Sequence, residues 1–455
     1  MANRISANDI SRTHVSKQQL TGNMGFRVEQ LICHAETLYA KSVAEEIMAF
    51  YNQVNGSDHS FTHNKKVALI AAKVADELDY IKSSVSKMSQ SDFKGKKYGQ
   101  AYTLYFADPG TVHEGLEAHP DDITEVPTEV FLRNFNTSCT LDAWNELGDI
   151  ESFKQEICDK RVEHLARQMG KYIIDDNIFK DFQAVVANAP SFGVLSDASA
   201  ALNELAVGGE VVSFMNPTVM GKIAAGGLAN FIPGTEAKEL YGKNYLGQYA
   251  GAEQIQSPLL PTVTTPASYT GSITLVADSD GEGNVVGFET VKEISGTNLK
   301  AGLVFTLGGD LKIVDQSGIE TEQPVSVIVL SANAAGTKGT ISPLRITVKG
   351  KGYGNPNAWV EAGTTALTLT PALEASTTYW VGQVRTRDAL AYDSYKFENL
   401  PGSDNEAVST VGGVTAKMSV YGDGTNLSKL VRIDCPFGAG LYEPRSAVAV
   451  FIKKA

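Results

Sequence analysis

One long stretch of the chain, from Thr265 to Arg385, has an all-β pattern and constrains the fold more than any other feature. Its short apolar runs are separated by glycines: "GSITLVA", "VVGFETV", "LVFTLGG", "VSVIVLS", "PLRITVKG", "ALTLTP" and "TYWVGQV". Runs of this length and spacing are typical of a β-barrel or a β-sandwich. The stretch spans about 120 residues, which is enough to bury a core, so we expect it to fold autonomously.

Helical patterns dominate the chain before this stretch. Apolar residues return at helical spacing in residues 27–54, and again in residues 65–88 along a one-sided stripe that starts at Val67. The longest helix pattern runs from Asp149 to Val186, and it contains no proline. These patterns predict three amphipathic helices, each with an apolar face that must be buried.

Two shorter helices and a strand follow the long helix pattern. The segment "SDASAALNELAVGG" predicts a helix capped by Ser196 or Asp197 and ended by Gly208. The segment "EVVSFMNPTVMGKIAAGG" predicts a strand and then a helix, with Asn216 as its cap and Pro217 at the first helical position. Together these patterns indicate an α/β core of modest size.

An extended hairpin is predicted between the second and third helix patterns. "GQAYTLYF" (99–106) alternates as a strand does, and "TEVFLRNFN" (128–136) is expected to pair with it. The excursion between them, residues 107–127, contains six acidic residues and no lysine or arginine. Such a hairpin has little core of its own, so it is marginally stable unless it lies on another surface.

A proline-rich seam precedes the all-β stretch. Pro258, Pro261 and Pro266 lie within nine positions, which is unfavourable for the middle of any helix or strand. The seam is therefore either a linker between consecutive domains or the stem of an inserted domain.

The end of the chain favours the insertion. The apolar run from Ala447 to Ile452 must be paired inside a sheet to be protected from water. We therefore assign the strands after Arg385 to the α/β core, with "RTRDALAYDSY" as the segment that returns from the barrel. Residues 264 and 386 are then expected to be neighbours.

Composition limits the classes of function. The net charge of −13 argues against a nucleic-acid binder with a basic face. The start of the chain lacks the apolar region of a secretory signal, and the weakly polar stretch 219–232 is too short to span a bilayer. The four cysteines lie far apart without CxxC spacing, and we expect free thiols at Cys33, Cys139, Cys158 and Cys435.

Two motifs have the residue types of a metal site. The segment Asp278–Glu289, "DSDGEGNVVGFE", matches the outline of an EF-hand calcium loop, although its flanks are strand-like and a hairpin turn gives the same letters. The segment "HEGLEAH" (113–119) carries two histidines but lies in the predicted hairpin excursion. No nucleophile elbow or phosphate loop occurs, so the motifs indicate a protein that is not an enzyme.

Several segments, in order, resemble one family. The segment "GTNLKAGLVFTLGG" (296–309) resembles a β motif of the inserted barrel in the major coat proteins of short-tailed phages related to a Salmonella phage. The closing segment 431–451 is similar to the end of those proteins at Arg432, Asp434, Gly438 and Ala447. The remaining similar segments are "QPVSVIVLS", "GTISPLRI", "SFMNP" and "GQYAGAEQIQSPLLP", and the resemblance covers residues 64–455.

The resemblance implies an α+β protein with the Hong Kong 97-like phage capsid fold and an inserted β-barrel domain. The implied segments are an extra helical N-terminal segment (1–62), an N-arm helix (63–95), an extended loop hairpin (96–148), a peripheral domain with a spine helix (149–189), the first part of an axial domain (190–264), the inserted barrel (265–385) and the closing strands of the axial and peripheral domains (386–455).

The resemblance also implies a function. Proteins of this family are major capsid proteins that assemble as pentamers and hexamers into an icosahedral head shell around the phage double-stranded DNA. Assembly in the host cytoplasm involves a scaffolding protein and a portal, and the procapsid then matures into the virion. The DNA is enclosed without sequence-specific binding. The family implies no catalytic residue, cofactor, metal or membrane partner.

Two departures from the family and two alternatives accompany this interpretation. Residues 1–62 have no counterpart in such coat proteins, and we expect them to pack on neighbouring subunits. No lysine lies between Tyr98 and Leu132, so covalent crosslinking through a lysine of the extended loop is not expected. The alternatives are another β-rich phage component, such as a tail or decoration protein, and a calcium-binding module like that of an adhesin or lectin.

Overall fold

The computed structural model describes residues 59–88, 98–107, 125–142, 154–205, 208–225, 248–279, 285–308, 311–315, 318–349, 357–361, 364–396, 405–423 and 428–454. The predicted helix in residues 27–54, the extra N-terminal segment up to residue 58 and most of the acidic excursion lie outside the described residues.

The described part of the chain is mixed α/β and rich in sheet. The helices are α1 His59–Glu77, α2 Asp79–Lys82, a π-helix Lys154–Val162, α3 Glu163–Asn177, α4 Phe192–Glu204 and α5 Pro217–Ala225, with short 3-10 turns at Arg387–Ala389 and Pro444–Ser446.

The strands before the all-β stretch are β1 Ala101–Ala107, β2 Glu125–Asp142, β3 Gln183–Ala187, β4 Val211–Met215, β5 Gln248–Tyr249, β6 Ala252–Gln256 and β7 Thr262–Thr264. Within that stretch they are β8 Thr270–Thr274, β9 Ala277–Ser279, β10 Val285–Phe288, β11 Val291–Thr297, β12 Val304–Leu307, β13 Lys312–Val314, β14 Glu320–Pro324, β15 Ser326–Ala332, β16 Lys338–Leu344, β17 Ile346–Val348, β18 Ala358–Val360, β19 Ala366–Pro371 and β20 Thr378–Thr386. The closing strands are β21 Leu390–Ser394, β22 Asn405–Val411, β23 Val414–Asp423, β24 Ser428–Leu441 and β25 Ala447–Lys453.

The long helix predicted from Asp149 to Val186 is wrong at its C-terminal end. The π-helix continues into α3, which ends at Asn177. The residues at the end of the predicted helix, from Gln183 onward, instead form β3. The Asn177 side chain donates to the Ile173 carbonyl and accepts from the Leu441 amide, so it takes part in ending the helix. Pairing with β25 then favours an extended backbone for the β-branched residues of β3.

The shorter helices also differ from prediction in where they begin. α4 follows Ser191, so Ser196 and Asp197 lie inside the helix and do not cap it. Burial of Val194 and Leu195 on the neighbouring sheet explains the earlier start. α5 begins as predicted at Pro217, and the Asn216 side chain accepts a hydrogen bond from the Thr218 amide at 2.9 Å.

The chain divides into two compact units, of which the first comprises residues 1–78, 133–167 and 393–437. Within this unit β22, β23 and β24 form an antiparallel ladder. α1 contacts β22 and β23, and Val67 and Val74 of its predicted apolar stripe are fully buried. The stripe predicted from helical spacing is therefore the core-facing side of α1.

The second unit, residues 79–132, 168–392 and 438–455, contains a seven-stranded sheet. Its strand order is β3-β25-β20-β4-β6-β5, with β7 also paired to β20. β25 runs antiparallel to β20 and parallel to β3, so the apolar C-terminal strand is paired on both sides, as predicted. α4 and α5 pack on one face of this sheet, where Met215, Val384 and Val450 join their cluster.

The all-β stretch forms a closed six-stranded barrel, β11-β16-β15-β12-β19-β8, and a further sheet, β14-β13-β18-β17-β10-β9. Phe305, Val329 and Ile341 belong to the apolar cluster of the barrel. Phe182 and Leu205, which precede the stretch by many residues, belong to the same cluster. Side chains from the α/β part of the unit therefore complete the core that we expected to be self-contained.

The ends of the barrel segment are close together, but not at the predicted residues. Thr264 pairs with Thr378, and their hydroxyl oxygens lie 3.0 Å apart. Thr386 stands at the far end of β20, about 26 Å further along the strand. The run "TYWVGQV", predicted to be a barrel strand, lies in β20 and belongs to the seven-stranded sheet.

Close packing at Gly296 gives a first prediction about stability. Gly296 of β11 pairs with Gly271 of β8, and a Cβ on Gly296 would overlap the Thr270 carbonyl oxygen. We expect Gly296→Ala to lower the free energy of unfolding by about 1–3 kcal/mol, because the backbone must shift to admit the methyl group. Urea unfolding of the full chain at one protein concentration measures this change.

Gly221→Ala is the matched control for this substitution. Gly221 lies inside α5, and nothing approaches within 4 Å of the position its Cβ would occupy. The same change is expected to stabilise the protein there by about 0.5–1 kcal/mol, since alanine favours the helix. Equal effects of the two substitutions would contradict the steric explanation for Gly296.

Candidate functional site

The two motifs with metal-ligand residue types lie partly or wholly outside the described part of the chain. No cluster of three or more His, Cys, Asp or Glu side chains is placed to hold an ion among the described residues. Ser279 of β9 lies opposite Val285 of β10 in an antiparallel pair, so the segment Asp278–Glu289 has the hairpin setting that was the alternative to an EF-hand. Asp280 and Glu282, like His113 and His119, lie outside the described residues.

The cysteines that the structure describes fully are free thiols. Cys139 is partly buried and Cys435 is completely buried. Burial raises the pKa of the Cys435 thiol to about 12, so this group stays protonated and unreactive at neutral pH. Cys435 therefore acts as a small apolar side chain within the first unit.

The β1–β2 hairpin has a buried apolar face and a mixed outer face, on which the Thr103–Glu129 pair lies between two aromatic side chains. β1 pairs with the first half of β2, with Ala101 opposite Phe131 and Tyr105 opposite Pro127. Leu104 and Val130 on one face are buried. On the other face, Tyr105 is 57% exposed and Phe131 is 38% exposed. We call these two residues the outer hairpin face.

The inner side of the hairpin packs closely on the final strands of the same unit. A Cβ on Gly438 would stand 3.3 Å from a methyl group of Val130, and one on Gly440 would press still closer against the same side chain. Glycine at these positions allows β2 to approach the end of β24. The inner face is thus occupied within the chain, whereas Tyr105 and Phe131 of the outer hairpin face keep part of their surface exposed.

A buried arginine lies on the face of the seven-stranded sheet opposite α4 and α5. Arg385 of β20 is fully buried, and its Nη1 donates to the Ser83 carbonyl at 2.6 Å. Its Nη2 donates to the Tyr80 carbonyl at 2.8 Å. The guanidinium also lies 4.8 Å from the ring centre of Tyr80 and 5.0 Å from that of Phe214. These contacts fasten residues 79–85, which we call the strap, to the sheet.

A chain of hydrogen bonds extends from the strap to Asp181. The Tyr80 hydroxyl donates to Gln383 Oε1 at 2.5 Å, and Gln383 Nε2 donates to Asp181 Oδ1 at 2.6 Å. Burial raises the pKa of Asp181 well above its usual range, and burial also raises that of Tyr80 and lowers that of Arg385. Arg385, Asp181 and Tyr80 thus form a titratable cluster inside the second unit.

No motif or periodicity in the sequence indicates this cluster. Arg385 was assigned only to the segment that returns from the barrel, and an arginine at a strand end is usually exposed. The sequence signal for a buried Arg385 is its position directly after the apolar strand "TYWVGQV". A strand that is buried along its length places its last residues in the core as well. Asp181 and Tyr80 gave no signal, because only the tertiary fold brings them to Arg385.

No helix in the described part of the chain is long and apolar enough to cross a membrane. No family model and no curated protein match the chain.

Solved structures similar to this chain include phage capsids. The capsid of Ralstonia phage GP4 matches with 7% sequence identity and a TM-score of 0.43, covering 82% of this chain and 87% of that chain. The head structure of Helicobacter pylori bacteriophage KHP40 matches with 10% identity and a TM-score of 0.40, covering 82% and 86%. The capsid structure of the cyanophage P-SCSP1u matches with 9% identity and a TM-score of 0.39, covering 82% and 86%.

The buried arginine gives a second prediction about stability. We expect Arg385→Met to lower the free energy of unfolding by about 3–5 kcal/mol, because the Tyr80 and Ser83 carbonyls then lose a buried charged donor. Denaturant unfolding of the full chain measures the loss.

Arg387→Ala is the control, two positions further along the chain. Arg387 is 44% exposed and pairs with Glu210 at 3.0 Å and Glu253 at 2.8 Å. We expect its replacement to cost about 1 kcal/mol or less, since exposed ion pairs contribute little. If both arginine variants lose the same stability, burial of the Arg385 guanidinium is not what makes it important.

Proposed function

We propose that this chain is a major capsid protein that assembles into the icosahedral head shell of a tailed phage. The observation that carries the proposal is the outer hairpin face, which exposes Tyr105 and Phe131 on a two-stranded hairpin. Exposed aromatic side chains on a two-stranded hairpin are stabilised when they lie against another surface. Repeated head-to-tail contacts of this kind between identical subunits close into rings and shells.

The order of the segments supports the same proposal. Several sequence motifs occur in the same order as in one coat protein family. The last of these motifs contains Arg432, Asp434, Gly438 and Ala447. The structure adds a reason for one of them, because Gly438 lies against Val130 of the hairpin. Arg432 and Asp434 form an ion pair at 2.8 Å, and Asp434 also accepts a hydrogen bond from Asn134. These contacts support the view that the matched residues hold β2 in place, Gly438 within the second unit and Arg432 and Asp434 within the first.

We further propose the Hong Kong 97 subdivision for this chain. The N-arm (63–95), the extended loop (96–148), the spine helix with the peripheral domain (149–189) and the axial domain (190–264 and 378–455) form the framework. The barrel segment is inserted in it as residues 265–377, shorter at its C-terminal end than the predicted 265–385. The pairing of Thr264 with Thr378 supports an insertion whose two stems lie side by side. On this basis β20 belongs to the framework, and the inserted segment ends before Thr378.

The assembly partners are part of the proposal. Subunits would form pentamers and hexamers with the help of a scaffolding protein and a portal, and the shell would enclose double-stranded DNA without sequence-specific contacts. The net charge of −13 supports loose enclosure, because an acidic surface repels phosphates. Residues 1–62 are proposed to pack on neighbouring subunits.

Electron microscopy of the full chain, produced together with its scaffolding protein, tests the proposed function. Shells are the expected product of the wild type. We expect Tyr105→Asp to reduce the yield of shells at least about tenfold, because a charge on the outer hairpin face opposes burial between subunits. Circular dichroism should show that the unassembled variant remains folded, since Tyr105 is exposed.

Ile319→Asp provides a matched control for this substitution. Ile319 is also a large exposed apolar residue, 63% accessible, but it lies in the all-β stretch that we propose to be an insertion. Its replacement should leave shell formation intact. Persistent monomers of the wild type under all conditions would contradict the proposed function, and normal shells from Tyr105→Asp would contradict the role of the hairpin.

A further inference from the structure

We propose that the protonation state of Asp181 controls the attachment of the strap, residues 79–85, to the seven-stranded sheet. The strap is attached by Arg385, which donates to the Tyr80 and Ser83 carbonyls. It is also attached by its backbone, since the Val85 amide donates to the Leu390 carbonyl at 2.9 Å and the Tyr392 amide donates to the Val85 carbonyl at 3.0 Å. The inference does not depend on the proposed function.

Arg385 and Asp181 each retain one polar atom without a hydrogen-bond partner in the described protein. These atoms are the Nε of Arg385 and the Oδ2 of Asp181, and both residues are at most 1% exposed. The Arg385 Nε is a charged donor, and the Asp181 Oδ2 becomes a free acceptor once Asp181 is ionised. A guanidinium and a carboxylate satisfy each other when both are charged, so an alternative arrangement with a direct ion pair is chemically available.

The protonation state of Asp181 decides which arrangement is favoured. When Asp181 is neutral, the guanidinium is attracted mainly by the strap carbonyls and by the faces of Tyr80 and Phe214. When the Asp181 proton leaves to solvent, the carboxylate becomes the strongest partner in the cluster. Arg385 then turns from the carbonyls to Asp181, and the strap loses its charged donor.

The groups that face Asp181 agree with this assignment. Arg385 of β20 and Tyr80 of the strap are the titratable groups that interact with it. The neighbouring Lys180 is paired with Asp176 at 2.8 Å, so its charge is directed elsewhere. Gln383 donates to Asp181 in either protonation state, because the Oδ1 atom accepts in both.

The sign of the pH dependence follows from the raised pKa of Asp181. The attached strap binds a proton on Asp181 more tightly than a solvated carboxyl group does. Its stability is therefore fully present below the ordinary pKa of aspartate, and it is lost as the pH rises through the raised pKa of the folded state. Higher pH should loosen the strap, whereas the sheet beneath it stays paired.

Hydrogen exchange of the full chain tests the inference. We expect the protection factor of the Val85 amide, corrected for intrinsic exchange at each pH, to fall at least about tenfold between about pH 5 and about pH 9. Amides of β25 serve as the internal reference and should not change. In Asp181→Asn, which keeps the acceptor for Gln383 but cannot ionise, the Val85 protection should be independent of pH.

Asp197→Asn, at an exposed position of α4, is the matched control and should behave like the wild type. The same pH dependence in the wild type and in Asp181→Asn overturns the inference, as does protection that rises with pH. If Asp181→Asn does not fold, infrared spectra of the wild type decide. The infrared band of a buried protonated carboxyl group must then be present at low pH, and it must disappear with the same pH midpoint as the protection of the Val85 amide. A spectrum without this band at low pH, or two different midpoints, rejects the mechanism.

Discussion

The pairing of β20 with β25 is the interaction on which the second unit depends. Seven residue pairs join the strands, from Tyr379 with Lys453 to Arg385 with Ala447. β20 also pairs with β4 and with β7, and β25 also pairs with β3. The sheet therefore joins segments that are far apart in sequence, and it cannot be completed before the last residues of the chain are in place. Such long-range pairing makes the sheet slow to form and cooperative once it has formed.

The same strand shows how one sheet can carry both an apolar and a polar face. Val384 points to the cluster under α4 and α5, while Arg385 points to the strap. Burying a guanidinium costs hydration free energy, and its hydrogen bonds and aromatic contacts compensate for that cost without adding a net gain. An apolar residue there would avoid burying a charge, but it would leave the Tyr80 and Ser83 carbonyls without their donor and would not distinguish one position of the strap from another. The carbonyls of Tyr80 and Ser83 must both reach Arg385, so the arginine specifies where the strap lies.

Periodicity predicted much of the fold from the sequence. The apolar stripe that starts at Val67, the alternation of β1 and the N-terminal cap of α5 depend on neighbouring residues, and each appeared where the pattern placed it. The helix predicted over 65–88 was wrong at its C-terminal end, since α1 ends at Glu77 and α2 at Lys82. The predictions that were wrong depended on distant partners. Residues 183–187 continue a helical pattern, but they pair with β25 as a strand. "TYWVGQV" alternates like the barrel strands before it, and only its neighbours β4 and β25 show that it belongs to another sheet. The Arg385 cluster joins three segments, which no local pattern could indicate.

The relation between the barrel and the α/β part follows from the same distant contacts. Phe182 and Leu205 complete the barrel cluster, and the Ser342 hydroxyl donates to the Lys180 carbonyl at 2.7 Å. A Cβ on Gly302 of the barrel segment would also meet the ring of Phe179 at 3.0 Å. A segment held by two adjacent stems alone would be free to turn about them. These contacts join the barrel segment to the α/β part in addition to the stems, and all of them involve the short segment that links α3 to β3 or the end of α4. The barrel is therefore fixed to the sheet through its own core, and the position of one depends on the folding of the other.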